Sequence, residues 1–219
     1  MKNNTKTFKA VVFTILTLIY TVLITVVDRA PVGAEGTSVG FSCINTKIRD
    51  AIQINDTWDK ITDVFMLVAL LVVAYFAVTG LVSLIREKSF CKVDKNLYVL
   101  AGIYVVIAIL YVAFSKIPIN YRPFLAPGET ELETSFPSTH LLVVVTVLST
   151  ALLTWKKKME NKKLFNILTL VFSAIMILTF IGRLLAGVHW FTDIIGGVLY
   201  ALTLTTVYNA VAEGICSKD

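Results

Sequence analysis

The chain has 219 residues, 56% of them hydrophobic and only 16% charged, with a net charge of +5 and a mean hydropathy of +0.77. Soluble domains carry about a quarter charged residues, so too little polar surface is left to cover a water-exposed globule. That excludes a soluble cytosolic enzyme, a disordered tail protein and a disulfide-stapled secreted module, and leaves the basic excess to be explained by where the lysines fall.

Six apolar stretches follow one another, at about 8–27, 64–85, 97–114, 140–155, 164–181 and 194–212. Each approaches the roughly 20 residues a helix needs to cross about 30 Å of hydrocarbon. The runs are continuous rather than alternating, which predicts helices and not a barrel. The first is longer than a typical signal-peptide core and no small-residue cleavage site follows Val27, so it reads as a retained span. The outer loop 28–63 is Gly-rich in its first part. Its second part sets Ile44, Ile48 and Ile52 at helical spacing, predicting a short interfacial helix. Asp56 or Thr57 is placed to cap the next helix, with Trp58 at headgroup depth. The chain 1–219 is therefore expected to be a single integral-membrane domain, an all-α bundle of six transmembrane helices.

Orientation follows from the basic residues flanking the spans. With the N-terminus inside, the inner segments hold thirteen: Lys2, Lys6, Lys9, Arg86, Lys88, Lys92, Lys95, Lys156, Lys157, Lys158, Lys162, Lys163 and Lys218. The outer segments hold seven: Arg29, Lys47, Arg49, Lys60, Lys116, Arg122 and Arg183. Both termini are thus expected in the cytoplasm. The lysine run at 156–163 reads as a topology anchor rather than a nucleic-acid patch. Cys43 falls outside and Cys91 and Cys216 inside, an odd set split by the membrane that makes no disulfide framework and shows no metal spacing.

Three clusters then fall on the outer face, although the topology count never used them. They are Lys116-Ile-Pro-Ile-Asn-Tyr-Arg122-Pro123, Phe136-Pro-Ser-Thr-His140, and the segment from Gly182-Arg183 through His189 to Asp193. Singly each has an ordinary reading: snorkelling cations, a Pro-Ser helix start, a His–Asp pair one turn apart. Together they gather both histidines of the chain with three cations and a carboxylate, and ionisable groups at membrane depth are costly and usually functional. Arg122 and Arg183 offer planar forks for phosphate oxygens, Lys116 a point charge, and Ser138 with the N–H of Thr139 an anion-binding helix start. Two histidines can divide nucleophilic and acid–base work. His189, with Asp193 to hold its tautomer, suits the nucleophile and His140 the general acid, with the cations stabilising the transition state so that no metal or other cofactor is required. Glu129, Glu131 and Glu133 read as a solvated rim.

These clusters resemble the type 2 phosphatidic acid phosphatase superfamily, membrane lipid-phosphate phosphatases that share an active site with vanadium haloperoxidases. The family pattern is Lys, six residues, Arg-Pro; then Pro-Ser-Gly-His; then Ser-Arg, five residues, His, three residues, Asp. Here one residue fewer separates Lys116 from Arg122, Thr139 stands where Gly is usual, and Gly182 where Ser is usual. The resemblance implies His189 as the phosphohistidine-forming nucleophile, Asp193 as its partner and His140 as general acid. It implies Lys116, Arg122, Ser138, Thr139 and Arg183 as the phosphate-binding set. The expected activity is hydrolysis of a lipid phosphate monoester or diphosphate (phosphatidate, phosphatidylglycerol phosphate or the isoprenyl diphosphate class) at the extracytoplasmic side of a cell membrane. A phosphotransferase using the same site, or a non-enzymatic anion or lipid transporter, are the alternatives; nucleic acid is not expected as a partner.

Overall fold

The computed structural model describes residues 2–125 and 128–216. Among these residues there are seven α-helices: α1 Lys2–Val26, α2 Ser42–Ala51, α3 Thr57–Glu87, α4 Lys95–Lys116, α5 Thr139–Lys158, α6 Lys162–Ala186 and α7 Phe191–Cys216. All except α2 are long and apolar enough to cross a membrane. Among the described residues there are no strands, only isolated bridges pairing Ala30 with Val39 and Tyr121 with Thr134. Lys218, used in the orientation argument, lies outside the described residues, as does the side chain of Cys216.

Helix α5 is the axis of the bundle: α3, α4, α6 and α7 all pack on it, and α1 lies along the far side of α7. Its sequence explains that position. Thr146, Thr150 and Thr154 recur every four residues and are buried, each donating its hydroxyl to the carbonyl one turn back. Thr154 Oγ1 also lies 2.7 Å from Tyr208 Oη. A span lined with self-satisfied hydroxyls can face other helices without leaving a polar group stranded in an apolar interior. Leu142, Val143, Val144, Val147 and Leu148 fill the gaps against Phe76, Leu100, Ile103 and Leu204. The lipid-facing helices instead expose their aliphatic side chains, as Leu67, Leu71, Ile109 and Leu170 do.

At one end of the bundle Phe136 is buried edge-on against Phe114 and lies against Gly196, where a Cβ would fall 2.3 Å from the ring. Gly197 is held equally close to the Ser138 carbonyl, 2.6 Å from where its Cβ would be. These two glycines let α7 approach the 136–138 segment that starts α5.

The second span differs from expectation. The apolar run begins at 64, but α3 begins at Thr57, because a helix continues through Asp59, Lys60 and Asp63 where hydropathy stops. The predicted short helix forms as α2, yet the face it buries is Ser42 and Asn45, while Ile44 is exposed. Neither Asp56 nor Thr57 caps α3 through its side chain; Asn55 Oδ1 accepts from Thr57 N instead.

Candidate active site

The three sequence clusters meet at the end of the bundle where α5 and α7 begin and α4 and α6 finish. Helix α6 stops at Gly187, whose φ of 67° is left-handed and closes the helix through its N–H to the Leu184 carbonyl. The tight turn that follows places His189 and Trp190 inside before α7 starts at Phe191.

Asp193, in the first turn of α7, is fully buried and ties the clusters together. Its Oδ1 accepts from Asn120 Nδ2 at 2.8 Å, its Oδ2 from Trp190 N at 3.1 Å, and its backbone carbonyl from Ser138 N at 3.0 Å. Asn120 in turn accepts from Ser135 N through its carbonyl and from Gly40 N through its side chain. Trp190 Nε1 donates to the Tyr121 carbonyl. The expected bond between Asp193 and the His189 ring is not made. The carboxylate satisfies a backbone N–H left free at the helix start and so positions His189 through its loop.

Six buried side-chain atoms lack a hydrogen-bond partner among the described residues: Arg122 Nε, Ser135 Oγ, Ser138 Oγ, Arg183 Nε, His189 Nδ1 and Thr205 Oγ1. Three of them, on Arg122, Ser138 and Arg183, belong to the anticipated phosphate set, and a fourth is on the anticipated nucleophile His189. Ser138 occupies the N-cap position of α5 but makes no side-chain cap, so its hydroxyl is not consumed by helix initiation. Burial, then the charges of Arg183, Arg122 and His140, hold the His189 pKa well below the ordinary histidine value, against the opposing effect of a hydrogen bond to the Ser135 backbone. His189 is therefore neutral near pH 7, with a ring lone pair available. Lys116 stands apart at the exposed end of α4, on the wall of a cavity of about 590 Å³ that it shares with Arg122, Thr139, Phe114 and Phe136.

Several residues here escaped the sequence reading. Glu133 is more than a solvated rim: its carboxylate is 2.7 Å from Arg122 Nη2 and its carbonyl accepts from Arg122 N. Asn45 of α2 bonds Thr192 twice, through Nδ2 to Oγ1 and through Oδ1 to the backbone N–H, and so clamps α2 onto the start of α7. From α3, Asp59 Oδ1 lies 2.5 Å from Arg183 Nη1 and Asp63 Oδ1 lies 2.9 Å from His140 Nε2. The signal for the last two was present as carboxylates four residues apart at the edge of an apolar run, the spacing of one helix face.

Six membrane-length helices, with Arg183, His189 and Asp193 buried and Arg122 and His140 half-buried at one end of the bundle, define a multi-pass membrane protein with a cationic site. The chain belongs to the PAP2 superfamily, whose profile matches residues 97–214. No curated protein matches it significantly. Among solved structures, it is similar to the transmembrane PAP2-type phosphatidylglycerolphosphate phosphatase from Bacillus subtilis. The TM-score is 0.63 at 20% identity, over 95% of this chain and 98% of that one.

Proposed function

We propose that the chain is a single-domain, metal-independent lipid phosphatase that hydrolyses a phosphate monoester or diphosphate on a lipid such as phosphatidate, phosphatidylglycerol phosphate or an isoprenyl diphosphate. Membership of the PAP2 superfamily supports phosphatase chemistry. The observation that carries the reading is the set of unpartnered buried atoms on Arg122, Ser138, Arg183 and His189, since buried polar atoms are normally paired and these await an anion.

In this reading Arg122, Arg183, Ser138 and the N–H of Thr139 hold the phosphate oxygens, and Lys116 adds charge from the cavity wall. A ring nitrogen of His189 attacks phosphorus while the bond to the lipid oxygen breaks and His140 donates its proton to that oxygen. Water then attacks the phosphohistidine, His140 takes its proton, and inorganic phosphate leaves with His189 restored. The arginines stabilise the charge that develops on the equatorial oxygens in both steps. Asp193 holds the loop that aims His189. In this reading the end of the bundle that holds the site faces the extracytoplasmic side of the cell membrane and both termini lie in the cytoplasm, which the positive-inside bias of the flanking lysines and arginines supports.

The test is phosphate release by purified protein in detergent with EDTA, from a panel of phosphatidate, phosphatidylglycerol phosphate and isoprenyl diphosphate. Wild type is expected to hydrolyse at least one and His189→Ala none. Full activity in the variant overturns the mechanism.

A further inference from the structure

The outer end of α3 contains a polar face that the phosphate cradle does not explain. Asp59, Thr62 and Asp63 lie within little more than one helical turn, and all three turn toward the site. Asp59 Oδ1 accepts from Arg183 Nη1 at 2.5 Å, and Thr62 Oγ1 accepts from the same nitrogen at 3.2 Å. Asp63 Oδ1 pairs with His140 Nε2 at 2.9 Å. The approach depends on Gly182, whose Cβ, if present, would fall 2.6 Å from Thr62 Cγ2 and 3.0 Å from the Trp58 ring. A side chain there would hold α3 away from the arginine that follows.

Arg183 is 1% exposed. A guanidinium at that depth needs acceptors for its N–H groups, or desolvation would disfavour it heavily. Both of its α3 contacts use Nη1, and Nε is left buried and unpartnered. The group is thus gripped at one corner and presents its other edge.

We propose that Asp59 and Asp63 are positioning residues of this active site, Asp59 with Thr62 fixing the guanidinium of Arg183 for bidentate contact with phosphate, and Asp63 orienting the imidazole of His140. The inference rests on the phosphatase reading and adds a helix outside all three sequence clusters to the machinery. An arginine held in advance spends no ordering entropy when substrate arrives. A carboxylate on His140 favours its protonated form, the one that donates to the leaving group. The other charged and titratable groups facing that ring are Asp59 on α3, Arg183 on α6 and His189 in the turn.

The experiment measures kcat and KM between pH 5 and 9 with EDTA. It uses whichever of dioleoyl phosphatidate, phosphatidylglycerol phosphate and farnesyl diphosphate wild type hydrolyses fastest, and records the Tm of every variant. Asp59→Ala is expected to lower kcat roughly tenfold or more, the scale of a misplaced catalytic group. Asp59→Asn should recover most of the rate, because its amide oxygen still accepts from Nη1. Asp63→Asn keeps an acceptor but removes the charge, so the alkaline limb of kcat/KM should move to lower pH while the acid limb stays. Ala and Asn at 59 that are indistinguishable, whether both slow or both faster with a lower KM, overturn the role of Asp59. A pH profile for Asp63→Asn that superimposes on wild type overturns that of Asp63. Should Asp59→Ala fail to fold, Asp59→Asn at wild-type rate beside a shifted Asp63→Asn profile supports the inference, and a slow Asp59→Asn overturns it. A wild type inactive on all three lipids sinks the functional reading itself; an active wild type with the overturning variants sinks this inference alone.

Discussion

At the scale of single residues, the site combines groups whose ordinary behaviour its surroundings have changed. Burial of His189, with the charges of Arg183 and Arg122 beside it, disfavours its protonated form and leaves a neutral ring. In the proposed mechanism the neutral ring is the nucleophile and the protonated ring is inert. Because the shift is downward, the acid limb of kcat/KM that His189 governs should lie below the ordinary histidine value of about 6.5, and an acid limb above that value contradicts the assignment. His140 has a different task, and its contribution should depend on the substrate. His140→Ala should slow an ordinary lipid phosphate ester far more than an aryl phosphate, whose oxygen departs without a proton. Comparing the two substrates in one variant separates acid catalysis from a general loss of structure.

At the scale of elements, close approach decides where these side chains stand. Helices α5 and α7 meet at Gly197, where a methyl group would press on the Ser138 carbonyl. Gly197→Ala should destabilise the protein by about 1–3 kcal/mol through overpacking, more than the roughly 1 kcal/mol that alanine adds to helix propensity. Because the displaced residue is Ser138, Tm and rate should fall together; an unchanged Tm would show that α7 yields freely. Helix α2 is held by a side-chain amide rather than by its isoleucines. Asn45→Ala leaves Thr192 N and Oγ1 buried without that partner, at a cost of about 1–3 kcal/mol, measurable as a lower Tm in detergent. Each apolar segment coincides with one long helix, but the helices overrun the segments, α1 starting at 2 rather than 8, α3 at 57 rather than 64 and α6 ending at 186 rather than 181. Hydropathy marks where charge begins, whereas backbone hydrogen bonding carries the helix past that point.

For the whole molecule, the proposed orientation has a direct chemical test. Cys43 on α2 and Cys91 after α3 are both exposed and free, and the membrane-length α3 separates them. A membrane-impermeant thiol reagent applied to intact cells should label Cys43 and leave Cys91 unlabelled until the membrane is opened. The reverse pattern would place the site in the cytoplasm and invert the topology drawn from the lysines. The same bundle shows why so few charges suffice: the carboxylates Asp59, Asp63 and Glu133 each pair with a cation or histidine of the site, so the cluster is nearly balanced while Arg122 Nε, Arg183 Nε and Ser138 Oγ stay unpartnered.

Local features were readable from the chain alone. Continuous apolar runs of membrane length determine helical spans, because no other open backbone arrangement satisfies its own hydrogen bonds in lipid. The spacings of His189 from Asp193 and of Ser138 from His140 keep the members of each pair on neighbouring backbone, without deciding which atoms bond. Partners distant in sequence were not readable. Asp59 meets Arg183 across 124 positions and Asp63 meets His140 across 77. Asp193 was expected on the histidine four residues before it, and instead satisfies Asn120 and the backbone of Trp190. A carboxylate pairs with whichever donors packing brings within about 3 Å, and only the tertiary arrangement of α3, α6 and α7 decides which those are.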